Sequence, residues 1–302
     1  MTWDLAIQAI LDGHKGARPL LGDLFVSDGP FSVFGRATIL PERGAGVKVA
    51  AIYPPNAGKS PPRPAESAIF VVIDQASRAI AGILDGPEIT RWKTAADSAL
   101  GSKILSRPDS ETLLVLGSGP IAAALAEAHL SVRPSIRRLM LWNRTPEKLA
   151  ALASGMARPG LEVEIAASLQ DALPLADIVS SATGATAPLV QGHLLRPGCH
   201  VDLVGSFQRE MREADDAVLQ RASIYVDNTE TAIDNTGDIW QPLDQKKIAR
   251  SDIHGDLFDL VSGAAQPERK DITVYKNAGG AHFDLLLSLA VLSEDAARDT
   301  AP

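Results

Sequence analysis

The chain has 302 residues, a formal net charge of −8, and 45% apolar, 22% charged and 5% aromatic side chains, a globular balance that argues against disordered and fibrous classes. Its acidic charge, with no long run of Lys and Arg, argues against nucleic acid as a partner. One cysteine, Cys199, excludes an intrachain disulfide and a cysteine-based zinc cluster, and the histidines show no metal-ligand spacing, so no metal is expected.

Met1 to Gly13 reads as an amphipathic helix carrying Asp4 and Asp12, without the pattern of a cleavable leader. The apolar runs fall short of the ~18 residues of a membrane span, so a cytoplasmic enzyme without membrane contact is expected. Phe31 to Ile39, Gly46 to Tyr53 and Ala68 to Ile73 are β-rich, with a proline-rich surface loop, Pro54 to Pro64, between the last two. The turn Asp74 to Arg78 leads into a short strand, Ala79 to Leu84, and the economical reading is an antiparallel sheet. Glu88 to Ser106 has helical spacing through Ala95, Ala96, Ala99, Leu100 and Leu105, and Arg107-Pro108-Asp109 ends it.

Beyond that point strand and helix alternate: Thr112 to Leu116, Ile121 to Leu130, Arg138 to Trp142, Pro146 to Leu152, Ile178 to Ser181, Cys199 to Val204 and Ser223 to Val226. Such alternation predicts a parallel sheet wrapped by helices, hence an α/β chain with a Rossmann domain over 107–276. A strand at Ile272 to Tyr275 and an apolar helix, Ala281 to Leu292, follow. That helix returns to the first domain, 1–106, which 277–302 then completes.

The strand Leu113 to Leu116 runs into Gly117-Ser118-Gly119-Pro120-Ile121-Ala122 and then a helix, the G-x-G-x-x-A form of the dinucleotide fingerprint. Gly117 permits the tight turn, Gly119 clears the approach of the pyrophosphate, and Ala122 allows close helix-to-strand packing. The free amides at the helix start favour the anion. The second strand ends Trp142-Asn143-Arg144-Thr145 without a carboxylate to bind ribose hydroxyls. Arg144 offers a charge-assisted pair to a 2′-phosphate, with Asn143 and Thr145 as polar partners, so NADPH is expected to bind better than NADH. The same turn also reads as a helix start with Thr145 as N-cap and Pro146 at the first helical position, and both readings can hold together.

Taken together, these segments resemble the ornithine cyclodeaminase and mu-crystallin family over most of the chain. Gly46-Val47-Lys48-Val49 is similar to its substrate-lysine strand, and Leu84-Asp85-Gly86 with Thr94 to Leu100 to its interdomain helix. Gly117 to Ala122 is similar to its cofactor turn, Asp202 to Ser206 to its loop below the nicotinamide, and Ile272 to Gly280 to its last strand and turn. The resemblance implies a homodimer built through the α+β N-terminal sheet domain and a site between domains for a cyclic imino acid or amino acid. It implies cofactor contacts from Thr94, Val204, Gly205, Ser206 and Lys276. It also implies that Arg36 and Lys48 bind the substrate carboxylate and act in catalysis, Lys48 as proton donor to the substrate nitrogen. From the residues alone, Arg36 could equally be a sheet-surface charge and Lys48 a solvated strand residue.

The family covers cyclodeaminases, amino-acid dehydrogenases, NADPH-dependent reductases of cyclic ketimine carboxylates, and mu-crystallin, which also binds thyroid hormone. Cyclodeaminases carry an aspartate where this chain has Phe207, and the stretch through Met211-Arg212-Glu213 resembles the reductase branch. Lys93 stands where family members usually have a carboxylate-binding arginine; it keeps the charge and loses the fork. The expectation is a reductase of pyrroline- or piperideine-2-carboxylate, with a cyclodeaminase, a dehydrogenase or a non-catalytic crystallin-like binder as alternatives.

Overall fold

A computed structural model of the chain describes residues 1–61, 63–268 and 271–299 and divides into two compact units, Met1–Lys93 with Gly280–Pro302, and Thr94–Gly279. In the first, helix α1 (Trp3–Gly13) starts at Thr2, whose hydroxyl accepts the Leu5 amide. Five antiparallel strands follow in sequential order: β1 (Leu20–Asp28), β2 (Phe31–Leu40), β3 (Gly44–Ile52), β4 (Glu66–Asp74) and β5 (Ile80–Asp85). Pro54–Gly58 forms a 3₁₀ turn at the start of the proline-rich connection.

Register fixes which side chains share a face. Asp23, Arg36, Lys48, Phe70 and Leu84 lie in one row across β1 to β5, on the inner face with Leu40, Ala50 and Val72. Leu40, Phe70 and Val72 pack against Leu285 and Leu286 of the C-terminal helix, which here is numbered last. The opposite face carries Leu24, Val26, Ile39, Val49, Ile69 and Ile83, all exposed. This apolar surface exceeds what scattered exposure explains.

Strand β1 was not expected from the sequence. Gly22, Asp23, Ser27 and Asp28 interrupt its apolar alternation, and only Leu21 escapes full exposure, so an edge strand leaves little pattern to read. Helix α2 (Gly86–Leu105) starts in the first unit, and the division between units falls inside it, at Lys93/Thr94, not after it. Its second half packs into the second unit, where Gly101 lies so close to the Tyr275 ring that a Cβ would stand 2.7 Å away.

The second unit is an eight-stranded sheet, parallel throughout. In chain order its elements are β6 (Thr112–Leu116), α3 (Pro120–Val132), β7 (Arg138–Trp142), α4 (Ala150–Met156), β8 (Glu162–Ile165), α5 (Leu169–Ala172), β9 (Ile178–Ser181), β10 (His200–Leu203), α6 (Asp216–Arg221), β11 (Ala222–Val226), α7 (Thr229–Ala232), α8 (Gly237–Asp244), β12 (Ile253–Asp256), α9 (Leu257–Ser262) and β13 (Ile272–Lys276). The last helix of the chain, α10 (Ala281–Asp299), belongs to the first unit.

The strands lie in the order β12-β11-β13-β10-β9-β6-β7-β8, so the chain reverses direction across the sheet between β6 and β9. Ligands of open α/β sheets bind outside the carboxyl ends of the strands at such a switch point. Leu113 and Val115 of β6 face α3 through Ala122, Ala126 and Leu130, while Leu114 and Leu116 face the other layer with Val179, Val201 and Leu203. Burial on both faces is why β6 reads as an unbroken apolar run from Leu113 to Leu116. Cys199, just before β10, is buried in the second layer, and burial together with the nearby Asp177 charge pushes its thiol up to about 12.

Strands β8 and β12 escaped the sequence reading because Glu162-Val163-Glu164-Ile165 and Ile253-His254-Gly255-Asp256 are short and largely polar. Buried polar bonds hold the second half of α2 to the sheet: Ser98 Oγ and Ser180 Oγ donate to Asp202 at 2.8 and 2.6 Å, and Tyr275 Oη donates to Asp97 at 2.6 Å. Asn277 Nδ2 donates to Thr94 O at 2.9 Å. Among the described residues, no helix is long and apolar enough to cross a membrane.

Candidate active site

Gly117 leaves β6 with φ +122°, and a Cβ there would lie 2.5 Å from Ala182 O, so both conformation and space require glycine. Gly119 is the extended N-cap of the 13-residue α3 and caps it with no side chain. A Cβ on Gly119 would meet nothing within 4 Å, so the first-turn amides border open space. Ser118 and Ile121 are half-buried and Ala122 is buried beneath the turn. The arrangement fits a dinucleotide pyrophosphate: open amides, a helix dipole and no side chain in the way.

Gly117 N donates to Trp142 O at 2.9 Å, which brings the end of β7 beside this turn. Asn143 is half-buried with Nδ2 bonded to Thr145 O at 2.9 Å, while Arg144 and Thr145 are exposed. Thr145 stands at the N-cap position of a 3₁₀ turn with Pro146 first, yet its hydroxyl makes no capping bond. The helix-start reading therefore holds for position and not for the hydroxyl.

The loop after β10 is built around a carboxylate. Glu213 is fully buried and accepts Ser181 Oγ, Thr183 N and Thr183 Oγ1 at Oε1 (2.6, 2.7 and 2.8 Å) and Gly205 N at Oε2 (2.6 Å). Burial and the neighbouring Asp238 charge push its carboxyl up to about 7, against the pull of Lys276 and its donors. Asp238 accepts the Glu213 amide at 2.8 Å, and Lys276 Nζ lies 3.5 Å from its other oxygen. Val204 and Gly205 border the surface, whereas the Ser206 hydroxyl is buried, donating to Met211 O and accepting the Asp238 amide.

Two cofactor assignments change character here. The Lys276 ammonium is fully buried against Asp238 and its carbonyl accepts the Asp227 amide, so its charge is turned inward. Thr94 is buried, with its carbonyl held by Asn277. Phe207 is 61% exposed. Asp202 and Glu213, on either side of it in sequence, are both fully buried and engaged, so neither replaces the missing aspartate as a base.

In the first unit, Lys48 sits mid-strand on the inner face, and its Nζ donates to Thr90 Oγ1 at 2.6 Å, while Thr90 donates to Gly86 O at 2.7 Å. Asp284, in the first turn of α10, lies between two lysines: Oδ1 is 3.7 Å from Lys48 Nζ and Oδ2 is 3.8 Å from Lys93 Nζ. The three side chains are only 11%, 2% and 6% exposed, for Lys48, Asp284 and Lys93. Both contacts are too long for hydrogen bonds, and Oδ1 has no hydrogen-bond partner among the described residues. The result is a buried cluster of two ammonium groups and one carboxylate, with a net positive charge.

Arg36 is already paired within its own sheet. Its Nε and Nη2 hold both oxygens of Asp23, its direct partner on β1, at 2.8 and 2.7 Å, and the guanidinium lies 5.0 Å from the Phe34 ring centroid. A substrate carboxylate would have to displace Asp23 to use that fork. The sequence reading missed Thr90, Asp284 and Asp23. Asp284 did leave a signal, as the one carboxylate within the apolar run Ala281 to Leu287.

The ornithine cyclodeaminase/mu-crystallin family pattern matches residues 31–298. A Delta(1)-pyrroline-2-carboxylate reductase of Paracoccus denitrificans is 38% identical over 292 residues, covering 95% of this chain and 91% of that protein. The ketimine reductase mu-crystallin of Mus musculus is 32% identical over 228 residues, 76% of this chain and 69% of that protein. The structure of Thermococcus litoralis Delta(1)-pyrroline-2-carboxylate reductase in complex with NADH and L-proline has the same fold, with a TM-score of 0.91 at 24% identity, covering 99% of this chain and 95% of that one. The chain belongs to the ornithine cyclodeaminase/mu-crystallin family.

Proposed function

We propose that this chain is an NAD(P)H-dependent reductase of small cyclic ketimine carboxylates, converting 1-pyrroline-2-carboxylate or its six-membered homologue to L-proline or L-pipecolate. The observation that carries the reading is the buried Lys48–Asp284–Lys93 cluster, whose net positive charge suits a carboxylate beside a protonable nitrogen. Lys93 and Lys48 hold the substrate carboxylate, replacing the forked geometry of an arginine with two point charges. Lys48 passes a proton to the ring nitrogen and later regains one from water, which makes the imine carbon a better electrophile. Asp284 keeps the two ammonium groups together despite their mutual repulsion. A bound nicotinamide supplies the hydride to that carbon.

Phe207 in place of the cyclodeaminase aspartate supports reduction over cyclodeamination, since phenylalanine relays no proton. Exposed Arg144, with no carboxylate beside it at the end of β7, supports NADPH over NADH. The exposed apolar face around Leu24, Val49 and Ile83 supports a homodimer formed through the five-stranded sheet. The test is NADPH oxidation on five- and six-membered 2-carboxy imines, with ammonia release from ornithine as the contrast. Oxidation without ammonia release is the expected result. Ammonia release with catalytic NAD, or no oxidation on either ring, would overturn the reading.

A further inference from the structure

We propose that Glu213 is a positioning residue for the cofactor: its carboxylate ties the loops after β9 and β10 to one another and against the Gly117 turn, in the form that receives the dinucleotide. The inference rests on the dinucleotide reading above. Glu213 Oε1 takes three donors from Ser181 and Thr183, and Oε2 takes the Gly205 amide, all at 2.6 to 2.8 Å. The contacts around it leave no slack. A Cβ on Gly205 would lie 2.0 Å from Thr183 O and 2.6 Å from Glu213 Oε1, and one on Gly117 would lie 2.5 Å from Ala182 O. One carboxylate thus links the ends of two adjacent strands, β9 and β10, and the β9 loop it holds stands against the Gly117 turn after β6, at the switch point where ligands bind.

The bonding pattern favours the ionised form: two of the four donors are backbone amides, which cannot accept, so a proton on Oε2 would face the Gly205 N–H, and one on Oε1 would turn the Ser181 or Thr183 hydroxyl from donor to acceptor. Burial and the Asp238 charge on α8 favour the protonated form; Lys276 on β13, Ser181 and Thr183 favour the ionised one, and the balance falls at about 7. The cofactor loops should therefore loosen as pH falls through neutrality.

The test measures the NADPH dissociation constant by nicotinamide fluorescence from pH 6 to pH 9, alongside the thermal midpoint of the ligand-free protein. Glu213→Gln keeps the shape but places an amide group against a donor, so at pH 9 it should weaken NADPH binding by at least ~10-fold, the scale of one charge-assisted hydrogen bond. Parent affinity should fall towards the variant's as pH drops through about 7, while the variant's affinity stays flat. Ser181→Ala retains the carboxylate and removes one donor, so it should move the parent's midpoint to higher pH; this milder change serves if Glu213→Gln does not fold. A pH-independent parent affinity, or a variant with a lowered thermal midpoint and unchanged affinity, overturns the inference and leaves the dinucleotide reading standing. Failure of the folded parent to bind either NADPH or NADH at any pH overturns both.

Discussion

Asp284 in the first unit and Glu213 in the second are both buried carboxylates, yet they use their oxygens differently. Asp284 stands 3.7 and 3.8 Å from two ammonium groups, balancing charge without fixing direction. Glu213 accepts four bonds of 2.6 to 2.8 Å, two of them from the backbone. The Asp284 contacts are long and ionic and do not fix the lysines' geometry by themselves, whereas short bonds to amides fix the chain itself. A buried carboxylate's partners thus distinguish a site that must change partners from one that must hold still.

The largest effect should come from removing the shared counter-charge. Asp284→Ala leaves two buried ammonium groups facing one another and should lower unfolding stability by about 3 to 5 kcal/mol in urea titrations. A loss below ~1 kcal/mol would show that the lysines find water or other partners, and the contrast with Glu213 would weaken. Next, Lys48→Ala should reduce kcat/KM for the imine by at least ~10²-fold with NADPH affinity unchanged, because the ammonium acts on the substrate. Near-parental turnover with intact folding would reduce Lys48 to a structural partner of Thr90.

A smaller effect is expected at the end of β7. Arg144→Ala should reduce the preference for NADPH over NADH by about 1 to 3 kcal/mol, read from the two dissociation constants, and equal affinities in the parent would rule out the phosphate role. The last, small at neutral pH and growing only in acid, concerns His200, which is fully buried with Nδ1 2.8 Å from Thr273 Oγ1 and driven down to about 3, chiefly by burial. Unfolded chains bind this proton below ~6.5 and the folded protein does not, so stability should fall with pH from there towards about 3. Relative to His200→Gln, the parent should lose about 1.4 kcal/mol per pH unit across that window. Glu213 contributes with the opposite sign, its native form retaining a proton up to about 7, so a Glu213→Gln background should steepen the acid loss.

The parallel sheet was legible in the sequence because β6 and β7 are buried on both faces and read as apolar runs, and because the glycine turn follows the first of them directly. Strand β1, exposed along nearly its whole length, carried no such signal, and neither did the short polar β8 and β12. The site divides in the same way. Gly117 and Gly119 announce a backbone requirement that spacing reveals, and resemblance pointed to Lys48 and Lys93. The partners that decide what those lysines and Arg36 can do come from distant positions: Asp284 lies 236 residues beyond Lys48, in contact only after folding. The pairing of Arg36 could not be foreseen for that reason, since its partner Asp23 sits on the strand the sequence concealed.

The buried state of Cys199 has a practical consequence for chemistry on this protein. A thiol held near 12 has almost no thiolate at neutral pH, and thiolate is the form that alkylating agents and peroxides attack. The folded chain therefore behaves towards thiol reagents as though it had no cysteine. A cysteine introduced on its surface could be labelled alone, with no need to replace the native one, and slow uptake of reagent by the parent would report the opening of the parallel sheet.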